Sequence, residues 1–161
     1  MFDIIQADLT RPEHAQAYLS LMSQYATDPM GGSEDLSDFT KQNLVEALLQ
    51  RSDVFIVLAF KDNKPAGLLT AIEGFSTFAC QPLLNVHDVV VYKDFRSQGI
   101  TTLLFSKIEE IAKQRNCCKI TLEVLAGNDI AKKAYTKQGF SGYQLNPAYG
   151  DALFWTKSLH N

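Results

Sequence analysis

The sequence predicts an α/β fold of about seven strands and four helices. Three observations carry that reading. Val54 to Phe60 is a nearly continuous apolar run, as expected of a central strand buried on both faces. A β-branched run, Val86 and Val89 to Val91, leads straight into a glycine-bearing turn, Arg96-Ser97-Gln98-Gly99. Ile100, Leu103, Leu104, Ile108, Ile111 and Ala112 then recur at helical spacing. A strand, a tight turn and a long helix in that order aim backbone N–H groups and the positive end of a helix at one point. Such a point suits an anion, phosphate above all. Gly99 lets the backbone come close to that ligand, where a Cβ would collide with it.

The other elements follow in order. Phe2 to Asp8 alternates enough for a first strand. Thr10, Pro12 and Glu13 read as a helix start: a capping hydroxyl, an early proline and an acid in the first turn. Ala15, Tyr18, Leu21, Met22 and Tyr25 form one face of that helix, and Asp28-Pro29-Met30-Gly31-Gly32 ends it. A second helix is predicted from Glu34 to Gln50, with Ser33 as cap and a stripe of Leu36, Phe39, Leu44, Ala47 and Leu48. Lys61 to Pro65 is a hairpin turn, and Ala66 to Phe75 is the returning strand. Ser76 to Pro82 joins it to the strand Leu83 to Val91. After the long helix come a strand, Lys119 to Val124, and a short helix, Ile130 to Lys137, closed by Gly139. Phe140 to Gln144 and Ala152 to Lys157 are the last two strands. No repeat, low-complexity tract or linker interrupts the chain, so residues 1–161 are expected to form a single domain.

Composition narrows the function. Apolar residues make up 46% and charged residues 20% of 161 residues, an ordinary globular balance. A formal net charge of −3 does not favour a nucleic-acid partner. No run reaches the roughly 18 apolar residues of a membrane span. The first residues, MFDIIQADLT, read as a strand rather than a charged region before an apolar one, so a cytoplasmic protein is expected. Cys80, Cys117 and Cys118 form no disulfide framework, and with His14, His87 and His160 they lack metal-ligand spacing. No metal is expected.

Arg96-x-x-Gly99-x-Thr101 resembles the Arg/Gln-x-x-Gly-x-Gly/Ala signature of the GNAT superfamily of N-acetyltransferases. Asn128-x-x-Ala131-x-x-x-Tyr135-x-x-x-Gly139-Phe140 resembles that family's second block. Thr101 departs from the pattern, keeping a backbone N–H and adding a hydroxyl. The order β-α-α-β-β-β-α-β-α-β-β is similar to that of the GNAT fold, a mixed, twisted sheet flanked by helices and splayed between its fourth and fifth strands. The resemblance implies acetyl-CoA as co-substrate and acetyl transfer to a primary amine by direct attack in a ternary complex. It implies that Arg96, Ser97, Gln98, Gly99, Ile100 and Thr101 hold the pyrophosphate. Val89, Val90 and Val91 would pair their main chain with pantetheine. Asn128 would contact the pantetheine arm, and Tyr135 would hydrogen-bond the thiol as general acid. Many members are dimers, so a homodimer paired through the C-terminal strands is a family expectation.

The residues also suggest who handles the amine. An alkylamine, with a pKa of about 10, must lose a proton before it attacks. His87 and Asp88 precede the cofactor-binding segment. Histidine is the residue type suited to take a proton near neutral pH. Neighbouring strand residues point to opposite faces, so at most one of the two faces the substrate unless a bulge intervenes. Glu123 and Glu73 are the alternatives. For the acceptor, Asp28 and Met30 in the first helix connection, Phe75 in the hairpin and Glu123 suggest a small cationic amine with some apolar body. Two other readings stand beside this one: a non-catalytic acyl-CoA sensor or interaction module of the same fold, and a P-loop-like nucleotide binder. The intact Tyr135 speaks against the first, and the missing Gly-Lys-Ser/Thr ending speaks against the second.

Overall fold

A computed structural model describes residues 1–159. The chain divides into two compact units, Met1–Leu122 and Glu123–Asn161. The first holds β1 (Asp3–Gln6), α1 (Pro12–Thr27), α2 (Asp38–Leu49), β2 (Val54–Lys61), β3 (Lys64–Ser76), β4 (Gln81–Val91), α3 (Ile100–Gln114) and β5 (Ile120–Leu122). The second holds α4 (Asp129–Lys137) and a short 3-10 turn, Pro147–Tyr149. The sheet order is β1-β2-β3-β4-β5. All pairs are antiparallel except β4 with β5, which are parallel and joined through α3. The fold is therefore the mixed α/β sheet with four helices that the sequence implies.

Alternation sorts the buried strand residues between two helical layers. Ile56, Leu58, Leu68 and Val90 pack with Ala17, Tyr18 and Leu21 of α1 in one core. Their neighbours Val57, Ala59, Leu69 and Ala71 are fully buried and point the other way. That second face meets α3: a Cβ on Gly67 would touch Ile100 and Leu104. Burial of Phe55 to Ala59 on both faces fits the continuous apolar run. On α3, Ile100, Leu104, Ile108, Ile111 and Ala112 are buried as expected, joined by Phe105, while Leu103 is exposed.

Several boundaries differ from expectation. The last two strands are not formed among the described residues, and the sheet has five strands instead of about seven. Phe140 to Gln144 is interrupted by Ser141-Gly142, and one backbone bond, Ala152 N–H to the Tyr143 carbonyl at 3.2 Å, links it to the following segment. A single bond makes no ladder, and glycine weakens a strand interior. The fifth strand is three residues long, which leaves Glu123 just beyond it. The second helix starts at Asp38, capped by Ser37, whose hydroxyl accepts the Thr40 N–H at 3.1 Å. Ser33 cannot open it, because its φ of 64° is left-handed. None of that helix's residues is fully buried, and Phe39 is exposed. Thr10 does not cap α1. Its hydroxyl donates to Asp8 Oδ1 at 2.6 Å, and Arg11 takes the cap position. The hairpin strands run further than expected, to Ser76 and from Gln81, so Phe75 lies within β3 opposite Pro82.

Candidate active site

The turn after β4 is built to face an anion. Tyr92 leads into a 3-10 turn, Lys93–Phe95, and Arg96 is extended. Ser97 has φ 62° and Gly99 φ 81°, two left-handed residues in one short turn. For serine this conformation is uncommon. Glycine adopts it freely, and Gly99 occupies the N-cap of α3. The first N–H groups of a helix have no partner within it and carry the positive end of its dipole. A Cβ added at Gly99 would meet nothing within 4 Å, so the space over the cap is open. Gly99 is thus required by its backbone angle, and the protein itself supplies no collision. The Gln98 amide donates to the Asp94 carbonyl at 3.2 Å and fixes the loop from inside. Ile100 is buried in the core and Thr101 is half-buried on the first turn. The turn fits a pyrophosphate.

The strand before it offers a second feature. On one side, Val89, Val90 and Val91 pair with Leu69, Leu68 and Gly67 of β3. On the other, β5 pairs only with Leu84, Asn85 and Val86. Among the described residues no strand lies along the outer edge of Val89 to Val91. In an antiparallel ladder about half the backbone groups of a strand face away from its one partner. Those of Val89 to Val91 are placed to bond an extended amide chain. Val90 is itself buried and its side chain is core; the Tyr92 N–H bond to the Ala66 carbonyl sets the alternation, so the outward main-chain groups are those of Val89 and Val91, and the Val91 carbonyl already accepts from Arg96 Nε.

A register shift in β4 decides between His87 and Asp88. Thr70 of β3 pairs with Asp88, but Ala71 pairs with Val86, which leaves His87 as an inserted, bulged residue. The bulge lets Val86 and Leu84 join the α3 face and Asp88 join the α1 face. His87 is exposed at the bulge. Asp88 stands beside Thr70, which is 4% exposed, and Thr70 Oγ1 lies 3.5 Å from the hydroxyl of Tyr18, which is 2% exposed. Burial pushes the Asp88 carboxyl above the usual carboxylate range, against the lowering effect of a Thr70 hydrogen bond and of His87. Burial likewise pushes the Tyr18 hydroxyl up to about 12, and Asp88 contributes in the same direction. Tyr25, two turns along α1, is raised by burial and then by Asp88 and Asp28. Tyr18, Tyr25 and Thr70 thus stand around the carboxyl, a role that the sequence reading assigned to none of them. A lone hydroxyl inside the aliphatic run Ala66 to Ile72, and two tyrosines seven apart on one helical face, are the signals that marked them.

Two other predicted residues meet. Arg96 Nη2 donates to Asp28 Oδ2 at 3.0 Å, across 68 positions of sequence, and its Nε donates to the Val91 carbonyl at 3.4 Å. Asp28 Oδ1 also accepts the Met30 N–H at 3.0 Å, and the Asp28 carbonyl accepts the N–H groups of Gly31 and Ser33. The Met30 N–H first, and Arg96 second, hold the Asp28 carboxyl below its ordinary value. Met30 and Phe75 are exposed. Glu73 pairs with Arg115, whose guanidinium sits 4.7 Å over the Phe55 ring, and this lowers the carboxyl. That ion pair occupies Glu73 with a guanidinium.

In the second unit, Asn128 Oδ1 accepts the Ala131 N–H at 3.1 Å, capping α4. The helix ends in a Schellman arrangement, with Phe140 N–H to the Tyr135 carbonyl at 3.1 Å, Gly139 N–H to Thr136 at 3.0 Å and Gly139 at φ 89°. Tyr135 is half-buried and packs edge-on against Phe140, ring centroids 6.3 Å apart. Glu123 is exposed at the start of this unit. Among the described residues no His, Cys, Asp and Glu group could hold a metal ion, and no helix is long and apolar enough to cross a membrane.

The model of the acetyltransferase (GNAT) family matches residues 16–140. A thialysine N-epsilon-acetyltransferase of Caenorhabditis elegans is 25% identical over 132 residues, covering 77% of this chain and 75% of that protein. A solved structure described as a probable acetyltransferase shares the fold with a TM-score of 0.81 at 21% identity, covering 99% of each chain. AAC(6')-Iy, solved in complex with the bisubstrate analogue CoA-S-monomethyl-acetylneamine, gives a TM-score of 0.77 at 18% identity over 98% of this chain and 99% of its own. An aminoglycoside acetyltransferase from an uncultured soil metagenomic sample, solved with sisomicin, gives 0.79 at 14% identity over 99% and 97%. With a family match that spans β4, the turn after it and α3, the chain belongs to the acetyltransferase (GNAT) family and is an N-acetyltransferase.

Proposed function

We propose that the protein transfers the acetyl group of acetyl-CoA to the primary amine of a small cationic acceptor. The observation that carries this is the continuity of β4: the carboxyl of Asp88, the edge of Val89 to Val91 along which no described strand pairs, and the turn Arg96 to Thr101 follow one another along one strand and its turn. A proton acceptor, a groove for amides and a seat for phosphate thus lie in the order that a long acyl carrier and its attacking amine need. Acetyl-CoA supplies an activated thioester carbonyl. Backbone N–H groups of residues 97 to 101 bind its pyrophosphate, and Arg96 exchanges Asp28 for phosphate. Asp88 takes the proton of the acceptor ammonium. A carboxyl raised by burial is better matched to that proton near neutral pH than an ordinary one. The freed nitrogen forms the new bond to the carbonyl carbon as the carbon–sulfur bond breaks. By the family resemblance, Tyr135 gives its phenolic proton to the departing sulfur and regains one from the acylated nitrogen, which sheds its second proton to become the amide, and Asn128 supports the pantetheine arm. No covalent enzyme intermediate is involved.

Asp28, Met30 and Phe75 are proposed to border the acceptor, with Glu123 as a further carboxylate. Relatives named for thialysine and for aminoglycosides act on cationic amines, which supports this class. A single domain over 1–161, a cytoplasmic location and a homodimer accompany the reading, resting on composition and on the family resemblance. The test is two-substrate initial-rate kinetics. Intersecting double-reciprocal lines are expected for a ternary complex. Parallel lines would mean an acyl-enzyme and would overturn direct attack.

A further inference from the structure

We propose that Thr70 and Tyr18 are positioning residues for Asp88: a buried pair of hydroxyls behind the carboxyl that holds it in one orientation toward the acceptor amine. The proposal rests on Asp88 being the proton acceptor. Its own evidence is the placement of two buried hydroxyls, on the core residue Tyr18 and on Thr70, where packing alone needs none. Thr70 sits at the middle of β3 among Leu68, Leu69 and Ala71, all fully buried. A valine would fill that space with the same shape and no hydroxyl to satisfy. Buried polar groups are kept only with partners. Thr70 has two in reach: the Tyr18 hydroxyl at 3.5 Å, and Asp88 directly across the ladder.

The bulge at His87 makes this geometry. Without the inserted residue, the alternation that puts Val86 on the α3 face would put Asp88 there too, away from α1. With it, the carboxyl comes to the face that α1 covers and meets hydroxyls instead of aliphatic side chains. The groups around it come from every neighbouring element. Tyr18 and Tyr25 face it from α1, Thr70 from β3 and His87 from its own strand. The three residues of β5, Ile120 to Leu122, carry no titratable side chain, and α3 covers the opposite face with Ile100, Leu104 and Ile108. A hydrogen bond from Thr70 stabilises the ionised carboxyl, so its removal leaves burial unopposed.

The experiment is the pH profile of kcat/KM for acetyl transfer at saturating acetyl-CoA, in wild type, Thr70→Val, Thr70→Ser, Tyr18→Phe and Asp88→Asn. The acid limb of the profile reports the carboxyl. Thr70→Val should move that limb up by about one pH unit, a roughly tenfold loss of rate at a fixed pH below it. Thr70→Ser restores the hydroxyl and should return the limb to its place. Tyr18→Phe should move it in the same direction by less. Thermal midpoints of all variants separate a shift of the limb from a loss of fold, and if Thr70→Val does not fold, Thr70→Ala removes the hydroxyl in its place and should move the limb the same way, an unmoved limb overturning the role. An unmoved limb in a folded Thr70→Val, with Asp88→Asn inactive, overturns the positioning role and leaves Asp88 as base. Asp88→Asn with wild-type rate and profile overturns the base reading, and the positioning role with it.

Discussion

Replacing Asp28 by asparagine should tighten acetyl-CoA binding. Arg96 and Asp28 form an ion pair whose side chains are 54% and 27% exposed. Pairs this open are worth about 0.2–1 kcal/mol. The half-buried acid and the 3.0 Å contact place this one in the upper part of that range. Asparagine keeps an oxygen to accept the Met30 N–H, so the connection after α1 should hold its shape while the charge is lost. Arg96 is then released at no cost when phosphate arrives. A saving of about 0.5–1 kcal/mol corresponds to a dissociation constant lower by a factor of about two to five. Calorimetric titration of acetyl-CoA into wild type and Asp28→Asn at low salt measures it, and the gain should shrink as salt screens the contacts. An Arg96→Gln background should weaken binding and erase the effect of Asp28→Asn, since no guanidinium is left to release. Unchanged or weaker binding by a normally folded Asp28→Asn would refute the exchange and leave Arg96 as a clasp between the two loops.

Three further outcomes are expected. Tyr135→Phe should lower kcat by about a hundredfold with little change in acetyl-CoA affinity, measured by steady-state kinetics beside calorimetry. Glu73→Gln should keep activity within about twofold, because its partner Arg115 lies in an exposed ion pair, and a large loss of kcat would return Glu73 to the list of bases. Asp35, bonded to the Ser23 hydroxyl and to Lys41, each at 2.6 Å, is held down to about 2. A carboxyl lowered in the folded state stabilises above its ordinary value and loses that contribution as pH falls. The wild-type melting temperature should therefore exceed that of Asp35→Asn above about pH 5, and the gap should close as the pH approaches about 2.

Local chemistry was legible in the sequence. The run Val54 to Phe60 announced a strand covered on both sides, and the apolar spacing after Gly99 announced α3. Gly139 marked the end of α4 for the same reason that Gly99 marked the start of α3: both need a left-handed backbone. Long-range pairs were not legible. The bulge at His87 depends on the register between β3 and β4, which no feature of either strand alone specifies. The alternation rule named the bulge as the condition for choosing between His87 and Asp88, and only the ladder showed that the condition holds. Arg96 and Asp28 each carried a site expectation from opposite ends of the first unit, but their ion pair depends on α1 ending above the turn after β4. The second helix was placed too early because Ser33 reads as a cap in sequence as well as Ser37 does, and only the backbone shows that Ser37 is the one that accepts the Thr40 N–H.

The most direct test of acetyl transfer to a small cationic amine is the rate of thiol release from acetyl-CoA across a panel of amines: amino acids, polyamines, aminoglycosides, arylalkylamines and basic peptides. The account predicts turnover that depends on one small cationic class and is lost in Asp88→Asn. Release with none of the small amines, and with a basic peptide alone, would contradict it.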